Sequence, residues 1–462
     1  MPRERQITFG SYGHMLNRRQ AISPDGLWSV YDTRNQDSDI ARTDSIEMVN
    51  LDSGDIVRVY RSPSQSLYGP GVGAAAFHPH EQRVVFIHGL ENCSFENPYS
   101  AARRFGAIVD VTSVDTETVR KSAGLADHEK AHNSSLQAAF AARRFVHAEA
   151  RSVGDPSRTI GILNGGTHAH SWSHDGWISF TYNDAWLERN ARDDSSVRDL
   201  RTVGFMVPGM PTTKADQDGE NFSGSFGAFL AANVCPNPSV GSDEIEQAIE
   251  ECWIGTNGYI DHLENKHSHA IAFQGAVRDR SGQLIFEIFL VEIPNVERIR
   301  NALSQSTGSH RSELLKPLTG CIQRRLTHTC HREFPGVQGP RNWLISSPDG
   351  MSIYAPMRDR RGVVQLFRIS TLNGLVEQIT DMEHSIDGQI SIDAGGIVCS
   401  FVCDQQICLV NVLTGKLEPL TNRNDRRLSG AVHFAGKNRV VFNRYVGSEP
   451  SAYLQVFVCE RD

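Results

Sequence analysis

The chain has 462 residues, 39% of them hydrophobic and 22% charged, with a formal net charge of -8. That composition supports a large apolar core, and the acidic balance argues against nucleic acid or an anionic membrane as a partner. No apolar run is long enough for a transmembrane helix.

The first element is a strand at Gln6–Phe9, within the phrase Arg5-Gln6-Ile7-Thr8. The phrase returns in degenerate form as Arg325-Leu326-Thr327, Gln378-Ile379-Thr380 and Pro419-Leu420-Thr421. Turns follow at intervals: 23–26, 78–82, 173–176, 279–282, 347–350, 393–396 and 434–437. Each precedes a run of β-formers, among them Trp28–Asp32, Arg83–His88, Trp177–Tyr182, Ser352–Ala355, Ile397–Val402 and Arg439–Asn443. Second hairpins pair Ile46–Asn50 with Ile56–Tyr60, Val364–Ile369 with Val376–Ile379, and Ile407–Val412 with Leu417–Leu420. The chain ends on Tyr453–Cys459, a third strand lacking a fourth, and begins on a fourth strand lacking three. An all-β, seven-bladed β-propeller accounts for this, forming a single domain over residues 1–462 whose ring is closed by the N-terminal strand. The blade at 263–318 is the least regular, because Leu284–Ile293 has no internal turn. Two stretches, 112–158 and 210–265, read as insertions. Within them, Ser135–Ala150 reads as a helix or ordered excursion and Ser242–Glu251 as a short helix.

Met1 to Gln6 lacks the apolar stretch of a secretory signal, and the nine cysteines have no regular spacing. Free thiols and a cytoplasmic location are the expectation. Tyr68–Ala75 is glycine-rich but lacks the Lys-Ser/Thr of a phosphate loop, so no nucleotide cofactor is expected.

A propeller's default site is the mouth of its channel. In Gly166-Thr167-His168-Ala169-His170-Ser171-Trp172, an extended strand puts His168 and His170 on one face, where imidazoles suit a divalent metal. His267 and His269 form a second pair, preceded by Glu264. The expectation is one ion (Mn, Zn or Ca) held by His168, His170, His267 and His269. A single histidine in a propeller is ordinarily a capped core or surface residue, and His-x-His arises by chance in a chain with 18 histidines. Arg341, beside Trp343, suits forked recognition of a carboxylate. His168, His170 and Arg341 are therefore the candidate catalytic set. His14, Arg18, Tyr68, Trp343 and His384 are candidate substrate contacts. Each arginine could equally be solvated or paired with the surplus of acidic residues.

Tyr68–Ala75, Gly166–His170, Gly339–Trp343 and Asn17–Gln20 together resemble an uncharacterised bacterial family of TolB-like propellers, a resemblance that spans nearly the whole chain and implies the fold. His170-Ser171-Trp172 and Glu264-x-x-His267-x-His269 are more distantly similar to motifs of the oligogalacturonate lyases, seven-bladed propellers with a metal in the channel. Glu264 stands where those enzymes have Gln. The resemblance implies a metal-assisted lyase acting on a uronate-containing oligosaccharide, with a histidine such as His168 or His170 taking the C5 proton. The alternative is a non-catalytic propeller that binds a protein or a small ligand across one face.

Overall fold

Short β-forming runs separated by polar turns pair most simply as antiparallel meanders. The computed structural model of the chain is built from them. It describes residues 4–111, 145–154, 160–213, 218–261, 263–305, 316–338, 343–423, 426–448 and 450–461. Seven four-stranded antiparallel sheets follow one another along the chain, and the fold is a seven-bladed β-propeller. The first blade is Met15–Leu16, Trp28–Asp32, Ser45–Asn50 and Ile56–Arg61. The seventh is Leu428–Ala435, Arg439–Val446 and Tyr453–Glu460, with Glu4–Gln6 as its fourth strand. The N-terminal strand therefore completes the last blade, two residues earlier than Gln6–Phe9. Glu4 pairs with Cys459 and Gln6 with Phe457, and the Ile7 amide continues the ladder to the Val456 carbonyl at 2.8 Å.

The chain divides into two compact units. One comprises Met1–Ser100, Arg104–Ala148 and Asn424–Asp462 and carries the first, second and seventh blades. Its core includes Leu16, Tyr31 and Val49 packed with Val441, Val456 and Val458. The other comprises Ala101–Arg103 and Glu149–Arg423 and carries the third to sixth blades. There Trp177, Phe205 and Phe229 pack against Phe273 and Phe289, and Tyr354 and Leu366 against Phe401 and Val410. Within each unit the apolar faces of adjacent sheets bury one another, as a half-buried strand requires.

The recurring threonine has a repeated physical job. Thr380 sits just past the fourth strand of the fifth blade, Val376–Gln378. Its hydroxyl accepts from the Leu366 amide at 2.9 Å and donates to Gln365 Oε1 at 2.8 Å, both on the third strand. Gln378 donates from its side chain to the Thr380 carbonyl at 2.7 Å. Thr8 repeats all three bonds with Val456, Gln455 and Gln6, and Thr327 repeats them with Ile288, Glu287 and Arg325. Thr421 accepts from the Ile407 amide at 2.9 Å. These threonines are buried, so each hydroxyl satisfies polar groups that water cannot reach. The Ser-x-Asp-Gly turns are equally regular. Ser23 and Ser173 donate to Asp25 and Asp175 at 2.5 and 2.6 Å, and accept from the amides of Trp28, which starts the next strand, and Trp177, which immediately precedes it.

Three expectations are corrected. Phe145–His147, inside the anticipated helix, is the fourth strand of the second blade; residues 135–144 of that helix lie outside the described residues. The stretch 210–265 is not one insertion, because Gly227–Leu230 closes the third blade and Ala248–Trp253 opens the fourth. The helix anticipated at Ser242–Glu251 gives way to that strand, whose Ala248 and Cys252 are buried in the core. Sheet pairing with Ala270–Arg278 overrides the polar local pattern. The fourth blade thus runs from Ala248 to Arg325, and its 279–282 turn joins the second strand to the third. Two α-helices, Ala185–Asp193 and Val296–Gln305, lie among the described residues, and neither is long and apolar enough to cross a membrane. Asp184 caps the first by accepting from the amides of Trp186 and Leu187.

Replacing Thr380 by Val should leave the Leu366 amide unsatisfied, and Gln365 Oε1 with only its bond from the Met382 amide, and cost about 1–3 kcal/mol in urea denaturation, whereas Thr380→Ser should lie close to the parent. Removing residues 1–9 strips the fourth strand from Tyr453–Glu460 and should lower the melting temperature or drive dimerisation through the bared edge. A truncated chain that melts like the parent and stays at the same size on gel filtration would contradict the closure.

Candidate functional site

The first strand of the third blade, Gly165–Trp172, carries the first histidine pair, and it is not a plain extended strand. His168 pairs with Thr181 and Ser171 with Ser179, so Ala169 and His170 together oppose one residue. This is a β-bulge, with Ala169 at φ 58°. The alternation that would place His168 and His170 on one face is broken there. His170 is buried, and its Nε2 lies 2.9 Å from the Thr167 hydroxyl, which in turn donates to the buried Glu149 carboxylate. Arg151, 1% exposed, donates to the carbonyls of Ala102 and Gly165 and pairs with Glu220, as does Arg103. Burial pushes the Arg151 guanidinium below its ordinary value, with Glu220 opposing. Glu149, Arg151 and Glu220 escaped the sequence reading because they stand in stretches without motif or period.

The second pair is separated by the bend at Ser268, because His267 ends an inserted hairpin and His269 stands just before the next strand of the sheet. His269 stacks on Trp177 at 3.9 Å between ring centroids, and its Nε2 lies 3.0 Å from both carboxylate oxygens of Asp175. Partial burial alone would raise the Asp175 carboxyl, but hydrogen bonds from His269 and Ser173 outweigh it and hold the group at about 2. His267 points elsewhere. It lies on a small hairpin, Tyr259–Ile260 with Lys266–His267, inserted between the first and second strands of the fourth blade. Gly258, at φ 75°, makes that hairpin possible, since a Cβ there would lie 1.8 Å from the His267 carbonyl oxygen.

His267 Nε2 is 2.9 Å from Asp261 Oδ2, and its Nδ1 is 3.5 Å from Glu292 Oε2, at the end of the third strand. Asp261, His267 and Glu292 each offer one ligand atom within 4.8 Å of the others, and among the described residues this is the group of three with metal-binding side chains so placed. The four histidines of the anticipated site are therefore not gathered. The buried Tyr259 donates its hydroxyl to Glu292 Oε1 at 2.6 Å and receives Arg324 at 3.4 Å. Arg324 Nε is 4.0 Å from Glu292, and the same guanidinium donates to the Thr371 carbonyl in the fifth blade. The His267 hydrogen bond is the largest influence holding the Asp261 carboxyl well below its usual range. Burial, first, and the bond to Glu292 push the Tyr259 phenol upward. The group sits over the third and fourth strands of its sheet and is half-buried. Two carboxylates and an imidazole are a suitable donor set for a divalent ion such as manganese.

The other anticipated residues each have their own surroundings. His14 is buried, stacked on Tyr12 at 4.3 Å, with Nδ1 3.1 Å from the Leu454 carbonyl. Tyr12 and Tyr31 both donate to Glu47 at 3.0 Å. Arg18 lies 3.7 Å from Asp37. Tyr68 is partly exposed against Phe95, and Trp343 is buried. His384 is 3.6 Å from Asp404. Arg341 lies outside the described residues.

Residues 71–222 match the model of a family described as "Protein of unknown function (DUF3748)". The matched span includes the Gly71–Ala75 and Gly166–His170 segments. The chain is 31% identical over 423 residues to the uncharacterized protein YidR of Escherichia coli (strain K12), covering 91% of this chain and 89% of that one. The chain belongs to this family. Among solved structures it is similar to an oligogalacturonate lyase in complex with manganese, at a TM-score of 0.53 and 9% identity, over 99% of this chain and 93% of that one. An oligogalacturonate lyase from Vibrio parahaemolyticus matches over the same shares, at a TM-score of 0.50 and 9% identity. At such identity the likeness is one of fold.

Burial pushes the His14 and His433 imidazoles down to about 4. Both are neutral when folded and take up a proton more readily when unfolded. Their contribution to stability is fully present above the unfolded value of roughly 6.5 and is lost as pH falls towards the folded values. Melting temperature should therefore drop progressively between about pH 6.5 and 4, and His433→Asn should flatten that part of the profile. An equal slope in parent and variant would contradict the assignment.

Proposed function

We propose that the chain is a lyase acting on uronate-containing oligosaccharides, assisted by one divalent ion at Asp261, His267 and Glu292. The observation that carries this reading is the convergence of those three side chains with the Tyr259 phenol and the Arg324 guanidinium. The fold it shares with a manganese-bound oligogalacturonate lyase supports it. β-Elimination from a uronate requires the sugar carboxylate to be neutralised so that its α-proton becomes acidic, and the leaving oxygen to be protonated. Arg324 presents a planar fork suited to that carboxylate. As the C4–O bond breaks and the C4–C5 double bond forms, the C5 proton would pass to solvent water at the half-buried cluster, and Tyr259, which keeps its proton, can supply one to the leaving oxygen. A bound divalent ion would contribute Lewis-acid charge at the carboxylate.

A second reading rests on Asp261 itself. Its oxygens already accept from the amides of Leu263 and Asn265, from the Asn265 side chain and from His267. A carboxylate so engaged shapes a turn, and the same cluster would then fasten the hairpin of a propeller that binds a ligand without chemistry.

Calorimetric titration with Mn²⁺, paired with ultraviolet detection of unsaturated uronate products, separates the two. The lyase reading expects binding and product from the parent and neither from His267→Ala. Tyr259→Phe, which withdraws a hydrogen bond from a ligand carboxylate, should weaken metal binding by about 10–100-fold. No metal bound and no product formed by the parent protein would leave the ligand-binding reading.

A further inference from the structure

The sixth blade holds a pair of thiols outside the candidate site. Its second and third strands, Val398–Cys403 and Gln406–Asn411, are joined by the two-residue turn Asp404-Gln405. Both turn residues have positive φ, 52° and 59°, which matches the hairpin turn whose twist suits adjoining strands. Cys403 pairs across the turn with Gln406, and Cys408 pairs with Phe401. Period-two alternation therefore puts Phe401, Cys403, Gln406 and Cys408 on one face, with the two cysteines diagonal neighbours. Each is 6% exposed, and both belong to the same apolar cluster. Cys403 Sγ donates to the His384 carbonyl at 3.4 Å, and the two thiols are close enough to influence each other's protonation.

We propose that Cys403 and Cys408 form a redox-responsive pair that hydrogen peroxide closes into a labile disulfide. The reaction balances with the peroxide as oxidant. Cys403 sulfur attacks the O–O bond, an S–O bond forms, and the departing oxygen leaves as water. Cys408 sulfur then attacks Cys403 sulfur, forming the S–S bond as the S–O bond breaks and a second water departs. Two thiols lose two electrons and two protons, and the peroxide is reduced to water.

The surroundings assign the roles. The neighbouring Cys408 thiol lowers the Cys403 thiol against the opposing effects of burial and the Asp404 charge, and Cys403 in turn raises Cys408. Cys403 is thus the attacking sulfur and Cys408 the resolving one. Diagonal neighbours on a sheet stand roughly 7–8 Å apart, beyond the usual Cα span of a disulfide at about 5.5–6 Å. Closure must therefore shift the hairpin end. That end carries Asp404, which pairs with Arg423 and lies 3.6 Å from His384. A bridge made against that resistance is easily reduced, as a reversible switch requires.

The test treats the full-length protein with hydrogen peroxide, alkylates remaining thiols and maps the peptides by mass spectrometry. The expected result is loss of both alkylatable thiols and of the mass of two hydrogens, restored by dithiothreitol. Cys408→Ser should instead leave a sulfenic acid at Cys403 that a dimedone probe captures. Cys399, on the same face but opposite Val410, serves as control, and Cys399→Ser should still form the bridge. Hydrogen exchange at 403–408 should change on oxidation of the parent and not of Cys408→Ser. Two thiols still alkylatable after peroxide, a bridge to Cys399, or irreversible oxidation of Cys403 alone would each overturn the proposal.

Discussion

The structure depends on one small interaction made several times over, the hydroxyl of a threonine just beyond a blade's outermost strand. An outer strand in a four-stranded sheet has only one neighbour and would otherwise hold on by a short ladder. Val376–Gln378 and Leu417–Pro419 have three residues each, too few to stay paired by backbone bonds alone. The hydroxyl extends that ladder by accepting from the third strand's amide, and in three blades it also donates to a Gln or Glu on that strand. The side chain two residues earlier then fixes the threonine's own carbonyl. Three weak contacts become one cooperative unit, buried where its polar atoms have no alternative partner.

The inner strands solve a different problem. Bulges interrupt the first strands of the second, third, fourth, sixth and seventh blades, beside Ala74, Ala169, Glu250, Gly388 and Gly430, all at positive φ. Each bulge increases local twist and re-aims the side chains beside it. In the third blade this brings His170, Thr167 and Glu149 into one hydrogen-bonded line. In the fourth, Glu251 comes within 2.7 Å of the Thr181 hydroxyl, so buried polar groups of neighbouring sheets satisfy each other.

What the sequence disclosed follows from these mechanisms. The clasp requires a particular side chain, so Thr8, Thr327, Thr380 and Thr421 left a visible repeat. The Ser-x-Asp-Gly turns likewise need a hydroxyl, a carboxylate and a residue free to adopt positive φ. The bulges were not legible, because Ala169 and Glu250 adopt a conformation that neither residue advertises. The fourth blade was misplaced for a related reason: its inserted hairpin at Tyr259–His267 separates the first strand from the second, and Ala248–Trp253 stands alone among polar residues. His267 and His269 looked like one motif, yet the bend at Ser268 ends the hairpin between them and sends them to Asp261 and Asp175. Tyr259, Glu292 and Arg324, contributed by three separate strands, could be joined only in three dimensions.

The completion of the seventh blade has a consequence in time. Thr8 and Gln455, whose side chains meet at 2.8 Å, are 447 residues apart. During synthesis the Glu4–Gln6 strand leaves the ribosome long before its partner. At about 5–20 residues per second, the interval is roughly 20–90 seconds. Throughout it, Glu4–Gln6 has no sheet to join, while the intervening blades can form from contacts close in sequence. The seventh blade is then completed by docking an early segment onto a much later one. A nascent chain stalled or cleaved before Tyr453 would retain most of its blades and yet never acquire the interaction that completes the fold.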